Sequence, residues 1–372
     1  MTPLFLRRAG VLASLVCLPV WAQAQSWVLE RVGPGAVTGL SADGRVAVGA
    51  TNGSFEAFRW TLADGLNKLG RGTQRPLGHR SGNPAISADG LVVSATILSD
   101  DGTSSTAGRW TVDGGWQALG PLPADAGTMD GELSSAYGLS GDGRAVTGLY
   151  WRLGQSDGLA HAMRWTAESG VQDLGSAGAS SRVDDANADG TVLVGWDEHP
   201  QFGNRRAAVW VHGVRMVLED SDWPSEASAV NSTGTIVVGQ TADPANNFQM
   251  SATMWTRQGN GWTKHILGVL SGRQNNGFAY PTGVSDDGSM VVGIARRDAT
   301  KPTSTGFVWT PTRGMLDAAD WLAETGLSLG ALQKLYSVSA VSADGLTLAA
   351  LSYNRKTGAV SSHLVRRVAP AH

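Results

Sequence analysis

Four short segments of this 372-residue chain concentrate the side chains that could do chemistry. "WDEHPQFGNRR" sets Trp196, Asp197, Glu198, His199, Arg205 and Arg206 close together. "LYWRLGQSDGLAH" carries Tyr150, Trp151, Arg152 and Asp157, "EDSDWPSE" carries Glu219, Asp220, Asp222 and Trp223, and "GTMDGE" carries Asp130 and Glu132. Tryptophan beside carboxylate suits a glycan or peptide ligand, since the ring offers an apolar face and the carboxylate accepts hydrogen bonds. Paired carboxylates can also do acid–base work on a glycoside. Two functions therefore stand. One is binding of a glycan, or of an envelope or extracellular protein, through Trp151, Arg152, Trp196, Asp197, Glu198, His199, Trp223, Asp130 and Glu132. The other is cleavage of a polysaccharide, as a hydrolase or a lyase, by loop carboxylates. Binding is the reading preferred, with no residue assigned a catalytic role.

Other chemistries fail on context. "GQSDG" at 154–158 fits the nucleophile pattern G-x-S-x-G, but that motif needs a strand-to-helix elbow and here sits between strands. "GPGAVTG" at 33–39 lacks the helix that a dinucleotide site requires. No H-E-x-x-H, P-loop or EF-hand spacing occurs, and the histidines are scattered, so neither metal nor cofactor is expected. A net charge of −3 without a basic stripe argues against nucleic acid.

The first 24 residues read as an export signal. Arg7 and Arg8 precede a short apolar run, Gly10 to Trp21, and Ala22-Gln23-Ala24 has the small-x-small form of a cleavage site. Cleavage is expected after Ala24, leaving a secreted or periplasmic chain from 25 to 372, folded as one domain and monomeric. No stretch is long enough to span a membrane. The only cysteine, Cys17, lies in the signal, so the mature chain has no disulfide.

The elements that must position these segments come from a repeat. "LSADGRVAVG" at 40–49 returns as "ISADGLVVSA", "LSGDGRAVTG", "ANADGTVLVG", "VNSTGTIVVG", "VSDDGSMVVG" and "VSADGLTLAA". Each unit contains a Ser/Asn-x-x-Gly turn, an apolar run, a segment with Trp, and a short segment, in several units ending near Leu-Gly. The Trp segments include "AFRWT", "AGRWT" and "AMRWT". Units of about 50 residues rich in Val, Thr and Trp are the size of four-stranded propeller blades. An all-β, seven-bladed β-propeller is expected, with one short helix near 316–325 in "LDAADWLAETG". The seventh unit lacks a fourth strand, and "SWVLERVG" at 26–33 is the orphan that would complete it beside "SSHLVRRV".

One acidic side chain per turn cannot gather the oxygens calcium needs, so the repeated Asp is read as turn chemistry. The two short links of each blade share one face. Longer, variable links share the other, and any binding site belongs there, around the central channel.

"AFRWT" with "LNKLG", and "HAMRWT" with "VQDLG", resemble the HAF family of probable extracellular bacterial repeat proteins. The resemblance extends over nearly the whole mature chain, with units four to seven drifting from the motif. It implies export and a propeller-like fold, and it implies no particular reaction.

Overall fold

A computed structural model describes residues 26–73, 82–153, 159–270, 276–301, 303–331 and 333–368. The signal segment, "GQSDG" and most of the 71–84 link lie outside the described residues.

The Ser-x-Asp-Gly turn builds the smallest unit. In blade one the Ser41 hydroxyl donates to Asp43 at 2.7 Å, and Asp43 accepts the Arg45 N–H at 3.0 Å. The same Ser41 oxygen accepts the Val46 N–H. Gly44, at φ +64°, donates to the Ser41 carbonyl and takes a conformation that side chains resist. Ser87–Asp89, Ser140–Asp142, Ser285–Asp287 and Ser342–Asp344 repeat the hydroxyl-to-carboxylate bond at 2.5–2.7 Å. Where Asn187 and Asn231 open the turn, the amide oxygen replaces the hydroxyl in holding the strand that follows. The repeated aspartates are thus occupied within their turns.

Each turn starts a four-stranded antiparallel meander. Blade one holds Ala36–Leu40, Val46–Ala50, Ala57–Thr61 and Gly65–Lys68, in that order outward from the axis. Six blades follow this pattern. The seventh takes Gln333–Val341, Thr347–Asn354 and Val360–Val368 from the C-terminal part, and Ser26–Pro34 as its outermost strand. Ser26 pairs with Val368 and Pro34 with Ser361, with one bulge between Arg31 and Gly33. The Ser362 hydroxyl then bridges to blade one, donating to the Gly35 carbonyl and accepting the Val37 N–H, both at 2.9 Å. The fold is therefore a seven-bladed β-propeller, closed by the N-terminal strand as the sequence predicts. The short helix, Ala318–Glu324, follows the fourth strand of blade six, Gly314–Asp317, and is capped by Asp317.

The third-strand tryptophans wedge blades together. Trp60 packs with Ala340, Ala349 and Leu364 of blade seven, Trp165 with Ala107 and Leu119 of blade two, and Trp255 with Val194, Ala207 and Val209 of blade four. Each large ring lies against the preceding blade, where its burial contributes most.

A second feature bends each inner strand. In blades one and three to seven its pairing is interrupted by a bulge, as between Ala227 and Ala229 in blade five. Opposite the bulge sits the glycine that ends most of the apolar runs. A Cβ on Gly239 would lie 2.0 Å from the Glu226 carbonyl oxygen, and one on Gly49 would lie 1.9 Å from that of Ala36. The backbone occupies the space a side chain would need. Gly239→Ala should therefore destabilise the protein by roughly 1–3 kcal/mol through overpacking. Urea unfolding of the variant should show a lower midpoint at unchanged slope.

Candidate functional site

The inner strands set what faces the axis. Counting back from the turn Ser or Asn, the fifth residue upstream is Ala36, Gly82, Ser135, Arg182, Glu226, Tyr280 and Ser337 in successive blades. The third is Thr38, Pro84, Tyr137, Asp184, Ser228, Thr282 and Ser339. Most are small or hydroxyl residues. Thr38, Ser228 and Thr282 donate to the carbonyls of Pro84, Pro281 and Val338 on the next blade. Blades three to six break this rule with two tyrosines, an arginine and two carboxylates.

These five side chains form one cluster with two residues from blade four. Arg182 Nε lies 2.8 Å from Asp184 Oδ1. The Arg182 guanidinium sits 4.2 Å from the centre of the Tyr137 ring and 5.5 Å from that of Trp196. Arg205 covers Trp196 at 4.2 Å and reaches Glu226 at 2.7 Å. Arg182, Trp196, Arg205 and Glu226 lie where inner strands begin, second strands end and third strands begin. That is the end of the channel bearing the long links.

Burial dominates the acid–base character. It pushes the Asp184 carboxyl above the usual range, a shift that Arg182 opposes and Glu226 reinforces. Burial also raises the Tyr137 and Tyr280 phenols, the latter further because Asp184 and Glu226 are close. Burial opposes the charge of Arg182, but Asp184 together with Tyr137, Tyr280 and Glu226 overcomes it and holds the guanidinium charged. Next to Asp184, Asp185 occupies a position that is Gly39, Gly138 or Gly283 in other blades. Its carboxylate accepts the Val230 N–H at 3.0 Å and the Ala186 N–H at 2.8 Å. Burial nevertheless pushes its pKa up to about 7.

The residues singled out from sequence divide. Trp196 joins the cluster, but as a buried strand residue in Val192–Glu198. Asp197 and Glu198 belong to the same strand, and Trp151 and Arg152 to Val146–Arg152. Their expected loop placement is corrected: the strands run longer than their apolar cores, because paired backbone continues into the polar residues. Asp197 is wholly buried, accepts from Ser176 Oγ and the Ala177 N–H, and lies 3.4 Å from Arg215. Glu198 accepts the Ser180 N–H. Glu132, also wholly buried, accepts the Trp151 indole N–H at 2.9 Å. Arg152 pairs with Asp125 and lies 3.4 Å from His161. His199 Nδ1 accepts the Gln201 and Phe202 N–H groups, and its ring packs on Phe202. Asp130 takes a left-handed conformation, φ 51°, in the turn before Glu132. Trp223 alone of the nine is a large exposed ring, stacked on Phe248 at 4.2 Å.

Sequence reasoning missed Tyr137, Arg182, Asp184, Glu226 and Tyr280. Their signal was present: "SRVDDANADG" puts charge where the equivalent "AVTGLSADG" of blade one has small residues. It emerges once the repeats are aligned on their turns.

No family model matches the chain, and no curated protein matches it. Solved propellers do. The β-propeller domain of Cps50 (Swd1) from Myceliophteria thermophila aligns at TM-score 0.54 and 11% identity, over 92% of this chain and 100% of that one. The β-propeller domain of the Trilobed protease from Pyrococcus furiosus aligns at 0.54 and 10%, over 91% and 98%. TolB from Acinetobacter baumannii aligns more loosely, at 0.47 and 11%, over 71% of this chain and 60% of that chain's length. Likeness at these identities shows the fold alone. Among the described residues, no helix is long and apolar enough to cross a membrane, and no group of three His, Asp or Glu could hold a metal ion.

The raised carboxyl gives a signed pH effect. Asp185 binds its proton more tightly folded than unfolded, so stability should fall as pH rises from about 4 toward 7. Between pH 5 and pH 7.5 the loss should be on the order of 2 kcal/mol, and Asp185→Asn should flatten it. Asp89 and Asp287, lowered by turn hydrogen bonds, act oppositely and at lower pH, withdrawing stability as pH falls below about 4. Denaturant midpoints across this range for both proteins check the sign; parallel curves would refute it.

Proposed function

We propose that the protein is an exported β-propeller that binds a glycan at the long-link mouth of its channel. One observation carries this reading: the otherwise small, self-satisfied inner ring is replaced over blades three to six by Tyr137, Arg182, Asp184, Glu226 and Tyr280. Burying charge in this way costs stability, and recognition of a ligand is a reason for a fold to bear that cost. Guanidinium, carboxylate and phenol groups together match the mixed donors and acceptors of sugar hydroxyls. The exposed Trp223–Phe248 stack on the same face adds an apolar surface for a pyranose ring. The amino-terminal segment and the HAF-like repeats support export.

The hydrolase alternative now rests on different residues. Asp197 and Glu132 are buried, while Asp184 beside Glu226 pairs a protonation-prone carboxyl with a second carboxylate.

A glycan array followed by calorimetry tests the proposal. Glu226→Gln should weaken the best ligand by about ten-fold or more, and Trp223→Ala by about three- to ten-fold. Neither should lower the melting temperature enough to explain the loss. Full retention of affinity by both variants would remove the mouth as the site. Product release from the bound glycan, abolished by Asp184→Asn, would favour hydrolysis over binding.

A further inference from the structure

A second site lies away from the cluster, between blades six and seven. There a cleft of about 530 Å³ opens beside the short helix, on the long-link face. Four cations line it from three places in the chain. Arg297 and Lys301 come from the link after Val291–Arg296, Lys334 from the start of Gln333–Val341, and Arg355 from the link after Thr347–Asn354.

Three carboxylates line the cleft as well. Asp317 caps the helix through the Ala319 N–H, accepts from Thr305 Oγ1, and pairs with Arg297 at 3.2 Å. Asp298 accepts from the Thr300 N–H and hydroxyl and from the Asn276 amide. Asp320 is the remaining carboxylate. In contrast, Lys301, Lys334 and Arg355 form no ion pair with any described carboxylate. Lys334 Nζ lies 5.9 Å above the Tyr353 ring. The lining thus holds four cations against three carboxylates, on a chain whose net charge is −3. An anion seated beside Lys301, Lys334 and Arg355, none of them held in a direct ion pair, is attracted to all three.

We infer that this cleft holds the carboxylate of an acidic sugar, so that the glycan recognised is a polyuronate. The inference rests on the glycan reading above and narrows it. The Arg355 fork can take a carboxylate through two parallel bonds, while Lys334 and Lys301 supply point charges. Ser304 and Thr303 line the same cleft and offer hydroxyl partners for the sugar ring. The volume suits one or two sugar residues rather than a protein segment.

Calorimetry with oligogalacturonate and its neutral methyl ester tests this on the full mature protein. The acid should bind about ten-fold or more tightly than the ester, and the preference should shrink as salt rises from about 0.05 to about 0.5 M. The Lys334→Met/Arg355→Met double variant should bind acid and ester alike, at the ester's affinity. Lys301→Glu, at an exposed position, should reduce the preference in the same direction with an unchanged melting temperature. Equal binding of acid and ester by the unaltered protein would overturn the cleft while leaving the channel mouth standing. Binding of neither would overturn the cleft, while the channel mouth stands or falls on the glycan array. A preference for acid that survives both variants would also overturn the cleft, since the charge would then be read elsewhere.

Discussion

Everything in this propeller hangs from one ring of hydrogen bonds among its seven turns. The second residue of each turn donates its N–H to the next blade: Ala42 to the Ala88 carbonyl, Ala88 to Gly141, Ala188 to Ser232, Asp286 to Ala343, and Ala343 back to Ala42. The two remaining junctions are variants. Gly141 and Asp142 donate to the Asn187 and Ala188 carbonyls, and Ser232 donates to the Asp286 carboxylate. The turn aspartates bond inward and the turn amides bond sideways, so each Ser-x-Asp-Gly segment both ends a hairpin and joins two blades. The turn positions are therefore constrained, while the opposite end of the channel can vary in composition.

That division explains where the charge goes. Two residues before the turn Ser or Asn, every inner strand but that of blade four has Gly or Ala, because backbone from the adjacent strand or blade already fills the space. A Cβ on Gly138, for instance, would lie 2.9 Å from the Asp184 carbonyl oxygen. Farther along the same strands there is room for Arg182, Glu226 and Tyr280. The repeat supplies rigidity at one end and lets three or four blades depart from it at the other, which is how a repetitive scaffold acquires a single, asymmetric site.

The repeat made the fold legible from sequence. Turn signals at intervals of 44 to 57 residues and a tryptophan in nearly every third strand leave little but a propeller, and the missing fourth strand of the seventh unit identifies Ser26–Pro34 as its complement. The site was legible only in location. Asp197, Glu132 and Trp196 stood out because acidic and aromatic letters in irregular segments look exposed. Yet a second strand extends through Trp196 and Asp197, and the carboxylates meet donors inside the fold rather than solvent, Asp197 the Ala177 N–H and Glu132 the Trp151 indole. Conversely, Arg182 and Asp184 hide within an ordinary alternating strand, and their importance lies in being unlike the equivalent residues of six other blades.

The closing sheet has a consequence for how the molecule is made. Ser362 holds the Gly35 carbonyl across a separation of 327 residues, and the strand Ser26–Pro34 has no partner until Val360–Val368 arrives. During synthesis the first strand must wait, unpaired, while nearly the whole polypeptide follows. Closing so long a loop is slow, because the entropy is lost before the contacts that reward it form. A chain that cannot lock until its last strand appears stays open through most of its translation.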